Sequence, residues 1–120
     1  MAMLAGVWTI RGYGYWAAEM KATGELIGRV GVWFPVWYRE IEAGWLIARE
    51  HWGSGYAPEA GAAALRQAFD TLGVDHVSSL IHPDNAASRR VAEKLGGALE
   101  KTFVLGDEEV VYYGYTSPPR

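Results

Sequence analysis

The segment richest in chemical possibility runs Arg49-Glu50-His51-Trp52-Gly53-Ser54-Gly55-Tyr56-Ala57-Pro58-Glu59-Ala60. Gly53 and Gly55 let the main chain turn tightly and approach a ligand with no side chain in the way. The residues after them suit a helix start: Pro58 falls where no amide is lost, and Glu59 suits the positive end of the dipole. Amides left bare at such a start point one way and make a cradle for an anion, phosphate above all. A charge-assisted hydrogen bond is worth about 1.5–3 kcal/mol, so three or four give roughly 5–12 kcal/mol before the costs of association, enough for micromolar capture. The glycine spacing taken alone also fits a plain flexible connection between a strand and a helix.

A second segment runs Ile81-His82-Pro83-Asp84-Asn85-Ala86-Ala87-Ser88-Arg89-Arg90-Val91-Ala92-Glu93-Lys94-Leu95-Gly96. Asn85 falls between a strand and a helix, the place where open α/β sheets bind ligands. Asn85 and Asp84 are equally residues that cap helices. Ser88 and Arg89 fall in the first turn, beside whatever the first loop holds. Of the acids, Glu42 shares a strand face with Gly44 and is the candidate base, directly or through water. Glu40, on the same face, is a weaker one, and a structural carboxylate bonded to a loop is the competing role. His51 is either a cofactor contact or a plain exposed side chain. His76 and His82 read as structural, and three isolated histidines make no metal motif.

The elements that must position these groups follow from the residue types. All six Trp lie in the first 52 residues, and aromatic and β-branched residues favour strands. Tyr15 to Lys21 and Leu26 to Phe34 read as a hairpin around Ala22-Thr23-Gly24-Glu25, closed by Pro35. Ile41 to Ala48 reads as a central strand covered on both faces. From Ala57 the small and apolar residues Gly61, Ala64, Leu65, Ala68, Phe69 and Leu72 recur at helical spacing, and Gly73 ends the helix. His76 to His82 is a buried strand, and Ala86 to Leu95 a second helix ended by Gly96-Gly97. Ala98 to Leu105 and Glu109 to Tyr115 form a last hairpin around Gly106-Asp107. Thr116 to Arg120 reads as a loose tail. The order is β-β-β-α-β-α-β-β, an α/β (or α+β) arrangement with at least one parallel pair and a right-handed crossover.

Composition bounds the rest. A chain of 120 residues, half of them apolar, reads as one domain over 1–120 with a real core. Charged residues at 21% and aromatics at 13% exclude a disordered segment. The net charge of −3 argues against nucleic acid or an anionic membrane as a partner. With no cysteine, disulfides, thiolate metal sites and cysteine nucleophiles are excluded, which fits a cytoplasmic setting. Met1 to Trp8 has no basic region and too short an apolar run for a signal peptide or a membrane span.

Taken together, the two segments resemble the acetyl-CoA signature of the GNAT N-acetyltransferase superfamily, and within it the branch of ribosomal-protein-alanine acetyltransferases. The match lies in Glu42-Ala43-Gly44-Trp45, Trp52-Gly53-Ser54-Gly55-Tyr56-Ala57-Pro58-Glu59-Ala60, Pro83-Asp84-Asn85-Ala86-Ala87-Ser88 and Glu93-Lys94-Leu95-Gly96. It covers about residues 8 to 115. The resemblance implies a mixed central sheet and direct attack of an amine on an acetyl thioester. It gives the diphosphate of acetyl-CoA to the amides from Gly53 through Ser54, Gly55 and Tyr56 to Ala57, beside Trp52. It gives the pantetheine arm to the backbone of Leu46, Ile47 and Ala48 and to Asn85. Ser88 would lie near the sulfur as a catalytic residue with Glu42, and Arg89, Arg90 and Lys94 would meet the outer phosphates unless they are simply a solvated helix face.

The sequence departs from the superfamily in several places. The tyrosine that many members use to protonate the thiolate is Ala92 here, leaving Ser88 to substitute or the thiolate to leave unaided. Glu50 stands where members carry Gln or Arg, and Pro58 removes one donor. Members also carry about fifty more upstream residues that help build the acceptor pocket, so the chain reads as short at its N-terminus, with Met3 to Ile10 replacing part of the missing edge. Apolar surface uncovered there implies a homodimer or other oligomer. The expectation is an N-acetyltransferase acting on a primary amine of a small molecule or a peptide N-terminus. The alternatives are a degenerate, non-catalytic acyl-CoA-binding module and an oligomerising interaction domain.

Overall fold

A computed structural model describes residues 2–5, 14–33 and 40–119. Strands β1 (Ala2–Ala5), β2 (Gly14–Glu19), β3 (Leu26–Trp33) and β4 (Glu42–Ile47) come first, followed by a 3-10 turn at Arg49–His51. Helix α1 (Tyr56–Asp70), strand β5 (Val77–Ile81), helix α2 (Ala86–Lys94) and strands β6 (Ala98–Leu105) and β7 (Glu108–Tyr115) complete the chain. The strands make one sheet in the order β1-β2-β3-β4-β5-β7-β6, antiparallel except for β4 beside β5. The mixed α/β arrangement expected from periodicity is present, and the expected elements lie within two residues of their expected ends. The addition is β1, an edge strand paired with β2 from Ala2 opposite Glu19 to Ala5 opposite Trp16. The remainder of Met3 to Ile10, Phe34, the strand-ending Pro35 and Arg120 lie outside the described residues. No described helix is long and apolar enough to cross a membrane.

Both helices pack on one face of the sheet. Ala60, Ala64, Leu65 and Ala68 of α1, and Ala92 with Leu95 at the end of α2, meet Val30, Val32, Ala43, Val77, Val111, Tyr113 and Tyr115. The small residues on α1 let it sit close to the strands, and Gly61 faces Leu95 and Trp45 so closely that a methyl group there would lie 2.7 Å from Leu95 Cδ1. Period-2 alternation turns Glu42, Gly44 and Leu46 to the opposite face. Leu46 is 60% exposed, so β4 is not covered on both faces as its apolar composition suggests. That face carries neither of the two described helices.

Candidate active site

The two parallel strands part almost as soon as they meet. Their ladder registers one pair, Glu42 opposite Ser78, with the Ser78 amide donating to the Ile41 carbonyl at 3.0 Å. One residue on, the Ser79 hydroxyl rather than an amide reaches the Ala43 carbonyl, at 2.7 Å. Tyr115 donates its hydroxyl to Ser79 at 3.0 Å, and burial pushes the Tyr115 phenol up to about 12, so it stays a donor. This side-chain chain stands in for the ladder and wedges the strands apart beyond it.

The main chain of β4 alternates its direction. Ile41 and Ala43 turn their carbonyls to β5, whereas the Ala48 amide donates to Ile27 on β3 at 2.7 Å. Alternation therefore aims the amides of Trp45 and Ile47 into the gap, and those of Leu46 and Ala48 away from it. Of the residues expected to offer their backbone, Leu46 lines both cavities and Ala48 lines neither. The end of the gap is fixed by Trp52, whose indole donates to the Ile47 carbonyl at 2.7 Å. The exposed Trp52 ring in turn lies 5.5 Å from the Arg49 guanidinium.

Two cavities open from the gap and share Trp45, Leu46, Asn85 and Ser88. The first, about 350 Å³, lies at the helix starts. Gly53 and Gly55 form its lip with φ of 82° and 80°, the left-handed region that glycine reaches at no steric cost. The first described bond of α1 runs from the Glu59 amide to the Gly55 carbonyl. Gly53, Gly55, Tyr56 and Ala57 line the cavity, and among the described residues nothing accepts from their amides. Tyr56, Ala57, Arg90 and Lys94 line it. These bare amides and two cations fit a diphosphate. Asn85 is indeed a cap, its Oδ1 accepting from the Ser88 amide at 3.1 Å, yet it also lines both cavities, its side-chain NH₂ still a donor.

Two expected residues line neither cavity. Ser54 is exposed. Arg89 donates through Nε to the Tyr113 hydroxyl at 3.2 Å and through a terminal nitrogen to the Pro83 carbonyl at 3.1 Å. These bonds tie the start of α2 to β7. His51 is not simply exposed, for it lines the larger cavity and its Nε2, 3.6 Å from Glu25 Oε1, has no hydrogen-bond partner among the described residues. Sequence reasoning missed Trp45, Ala87 and Val91. The last two share a helix face with Lys94 at i, i+4 and i+7, a spacing that would have found them.

The second cavity, about 250 Å³, includes Glu42, Gly44, Arg29, Leu80 and His82. Burial pushes the Glu42 carboxyl up to about 7, where it exchanges a proton near neutrality. Glu40 stays outside this cavity, accepting instead from the Tyr112 hydroxyl at 2.9 Å. His76 stacks on the same Tyr112 ring at 6.1 Å and faces Glu100 at 3.6 Å, a structural position. Ala92 is fully buried in the core.

Comparison with known proteins bears on the fold. A family described as an acetyltransferase (GNAT) domain matches residues 1–98. The uncharacterized protein YkkB of Bacillus subtilis is 40% identical over 108 residues, covering 86% of this chain and 62% of that protein. An acetyltransferase structure from Agrobacterium tumefaciens superposes with a TM-score of 0.83 at 36% identity, covering 92% of this chain and 65% of that one. A ribosomal-protein-alanine acetyltransferase from Vibrio fischeri shares the fold, with a TM-score of 0.77 at 16% identity over 92% of this chain and 64% of that one. The chain thus spans a little under two thirds of the length of these three proteins.

Proposed function

This chain belongs to the GNAT acetyltransferase family, and we propose that it is an acetyl-CoA-dependent N-acetyltransferase. In this reading it moves an acetyl group to a primary amine, of a small molecule or a peptide N-terminus, by direct attack. The observation that carries the reading is the gap between β4 and β5 with a mouth on each side. One mouth offers unpaired amides and cations, the other a carboxylate poised near neutrality, and four residues are common to both.

Acetyl-CoA, bound at the first mouth, supplies an activated thioester. The amides of Gly53 through Ala57 hold its diphosphate, with Arg90 and Lys94 neutralising charge beside them. The Trp45 and Ile47 amides and the Asn85 side chain orient the arm that enters the gap. From the second mouth Glu42 takes the proton of the incoming amine, directly or through a water. Ser88, at the junction, offers its hydroxyl to the departing sulfur, since Ala92 has nothing to give. A cytoplasmic setting and self-association as a dimer belong to the same reading, and light scattering checks the second.

Calorimetric titration with acetyl-CoA, followed by thiol release across a broad amine panel, tests the proposal. Binding with release supports it. Binding without release for any amine favours the non-catalytic module, and neither heat nor thermal shift defeats both readings.

A further inference from the structure

We infer that Gly28 and Ser79 are positioning residues for the arm of the cofactor: from opposite sides they set the width of the gap between β4 and β5. The inference rests on the acetyl-CoA reading above and adds which residues shape the channel that the arm enters.

On the β3 side the device is a missing side chain. Gly28 stands opposite Ile47, and the main chain of β4 occupies the place that a side chain at 28 would take. A Cβ there would overlap the Leu46 carbonyl oxygen and lie 3.0 Å from Ile47 Cα. Packed backbone does not yield as the tip of a flexible side chain does, so a side chain at 28 must move β4. The next residue is tied down as well, the Ala48 amide donating to the Ile27 carbonyl at 2.7 Å. Because β4 lies between β3 and β5, main chain drawn in this closely against β3 is withdrawn from β5.

On the β5 side the device is a hydroxyl. Glu42 pairs with Ser78, and the Ser78 amide donates to the Ile41 carbonyl. A regular parallel ladder would next bring the Leu80 amide to the Ala43 carbonyl. The registered pairing stops before that step, and the Ser79 hydroxyl holds the carbonyl at 2.7 Å. Tyr115 gives its own hydrogen to Ser79 Oγ at 3.0 Å, which leaves the single hydrogen of Ser79 for Ala43.

Ser78 supplies the contrast. It is as buried as Ser79, at 0% against 1% exposed. Its hydroxyl reaches the Ile41 carbonyl at 3.4 Å, which already accepts from the Ser78 amide. Losing that hydroxyl leaves the ladder as it is.

The test compares Ser79→Ala, Ser78→Ala and Gly28→Ala with the wild type. Hydrogen exchange of the Leu80 amide is followed by NMR in the free protein, and CoA affinity by calorimetry well below the melting temperature. Without the Ser79 hydroxyl, the Ala43 carbonyl takes the Leu80 amide and the strands zip one step further. The Leu80 amide then exchanges about tenfold more slowly and CoA binds about tenfold more weakly, roughly the loss of one hydrogen bond to the arm. A merely structural loss moves the amide the other way, since exchange quickens as stability falls. Ser78→Ala leaves both readings near their wild-type values, and Gly28→Ala weakens CoA at least as much as Ser79→Ala. Normal CoA binding by a folded Ser79→Ala or Gly28→Ala chain, or equal effects of the two serine variants, overturns the inference. Should Gly28→Ala fail to melt cooperatively, the two serine variants decide. If the wild type binds no CoA, the acetyl-CoA reading fails separately. A slower Leu80 amide in Ser79→Ala then upholds Ser79 as the residue that sets the gap, and an unchanged or faster one overturns it.

Discussion

The two mouths of the gap are built on different principles. The mouth at the helix starts is made mostly of main chain: one loop of consecutive residues turned by glycines where a helix begins. The other mouth is made of side chains from two strands and from the end of a third, with Arg29, Glu42 and His82 more than fifty positions apart from first to last. A local, backbone-built site fails when its path is altered and tolerates many side-chain changes. A site of convergent side chains fails one group at a time.

The largest effect should follow from altering the path. Gly55→Val forces a branched side chain into the left-handed region, a strain of about 1–2 kcal/mol, and so shifts the loop whose amides are proposed to receive the diphosphate. We expect acetyl-CoA affinity to fall at least a hundredfold, roughly the loss of two charge-assisted hydrogen bonds, while the protein still melts cooperatively. Calorimetry with a parallel melt checks this, and near-normal affinity would show that the loop is not the cradle.

Next comes Glu42→Gln, which breaks the other mouth while leaving the first intact. Removal of a general base lowers kcat about 10²–10⁴-fold, with acetyl-CoA affinity unchanged. The stability effect has the opposite sign. The folded-state pKa of Glu42 is raised from 4.5 to about 7 by burial, so the folded form holds a proton that the unfolded form releases. The stability linked to that proton is full below the unfolded value and is lost as pH rises through about 7. Glu42→Gln, always neutral, should therefore melt above the wild type at pH 8 and close to it at pH 4. A melting difference that does not change with pH would mean that the carboxyl is not desolvated.

How much of each mouth was legible follows the same division. The loop from Trp52 to Ala57 and the Asn85 turn were readable because their chemistry sits in contiguous residues with glycine, proline and cap signals. The order of strands and helices was readable because period 2 changes to period 3.6 at Ala57. What was not readable depends on register. Gly31 opposite Gly44, Arg29 on one cavity with Glu42, and the Ser79 to Ala43 bond all arise from pairings between distant segments. Which β4 amides enter the gap was missed by one residue, because a strand's hydrogen-bonding direction alternates and only the partner shows its phase. The open face of β4 was missed because an apolar strand reads the same whether one or both of its faces are covered.

A smaller effect separates two roles of Asn85. As a cap, its loss to alanine costs about 1 kcal/mol of stability. As a donor to the bound arm, the same change should weaken acetyl-CoA by about tenfold or more. Affinity should thus fall by more than the melting shift accounts for, and equal losses would reduce Asn85 to its cap.

The smallest effects come from two neighbouring arginines, and they sharpen the comparison most cleanly because sequence alone treats the pair as equivalent. Arg90 lines the cofactor mouth on an exposed helix surface, so its partnership with a phosphate is screened by salt. Arg90→Ala should weaken acetyl-CoA a few-fold at low ionic strength and almost not at all at high, with the melting temperature unmoved. Arg89 instead bonds the Tyr113 hydroxyl and the Pro83 carbonyl, and Tyr113 also donates to Glu93 at 2.9 Å. Arg89→Ala leaves a buried phenol with one partner fewer, so it should lower stability by about 1 kcal/mol while affinity holds at every salt concentration. Titrations and melts of the two variants side by side check this, since the two residues must fail in different assays if the mouth runs along the Arg90 side of α2. A salt-dependent loss of affinity in Arg89→Ala would mean that the cavity wall reaches further round the helix than the lining residues place it.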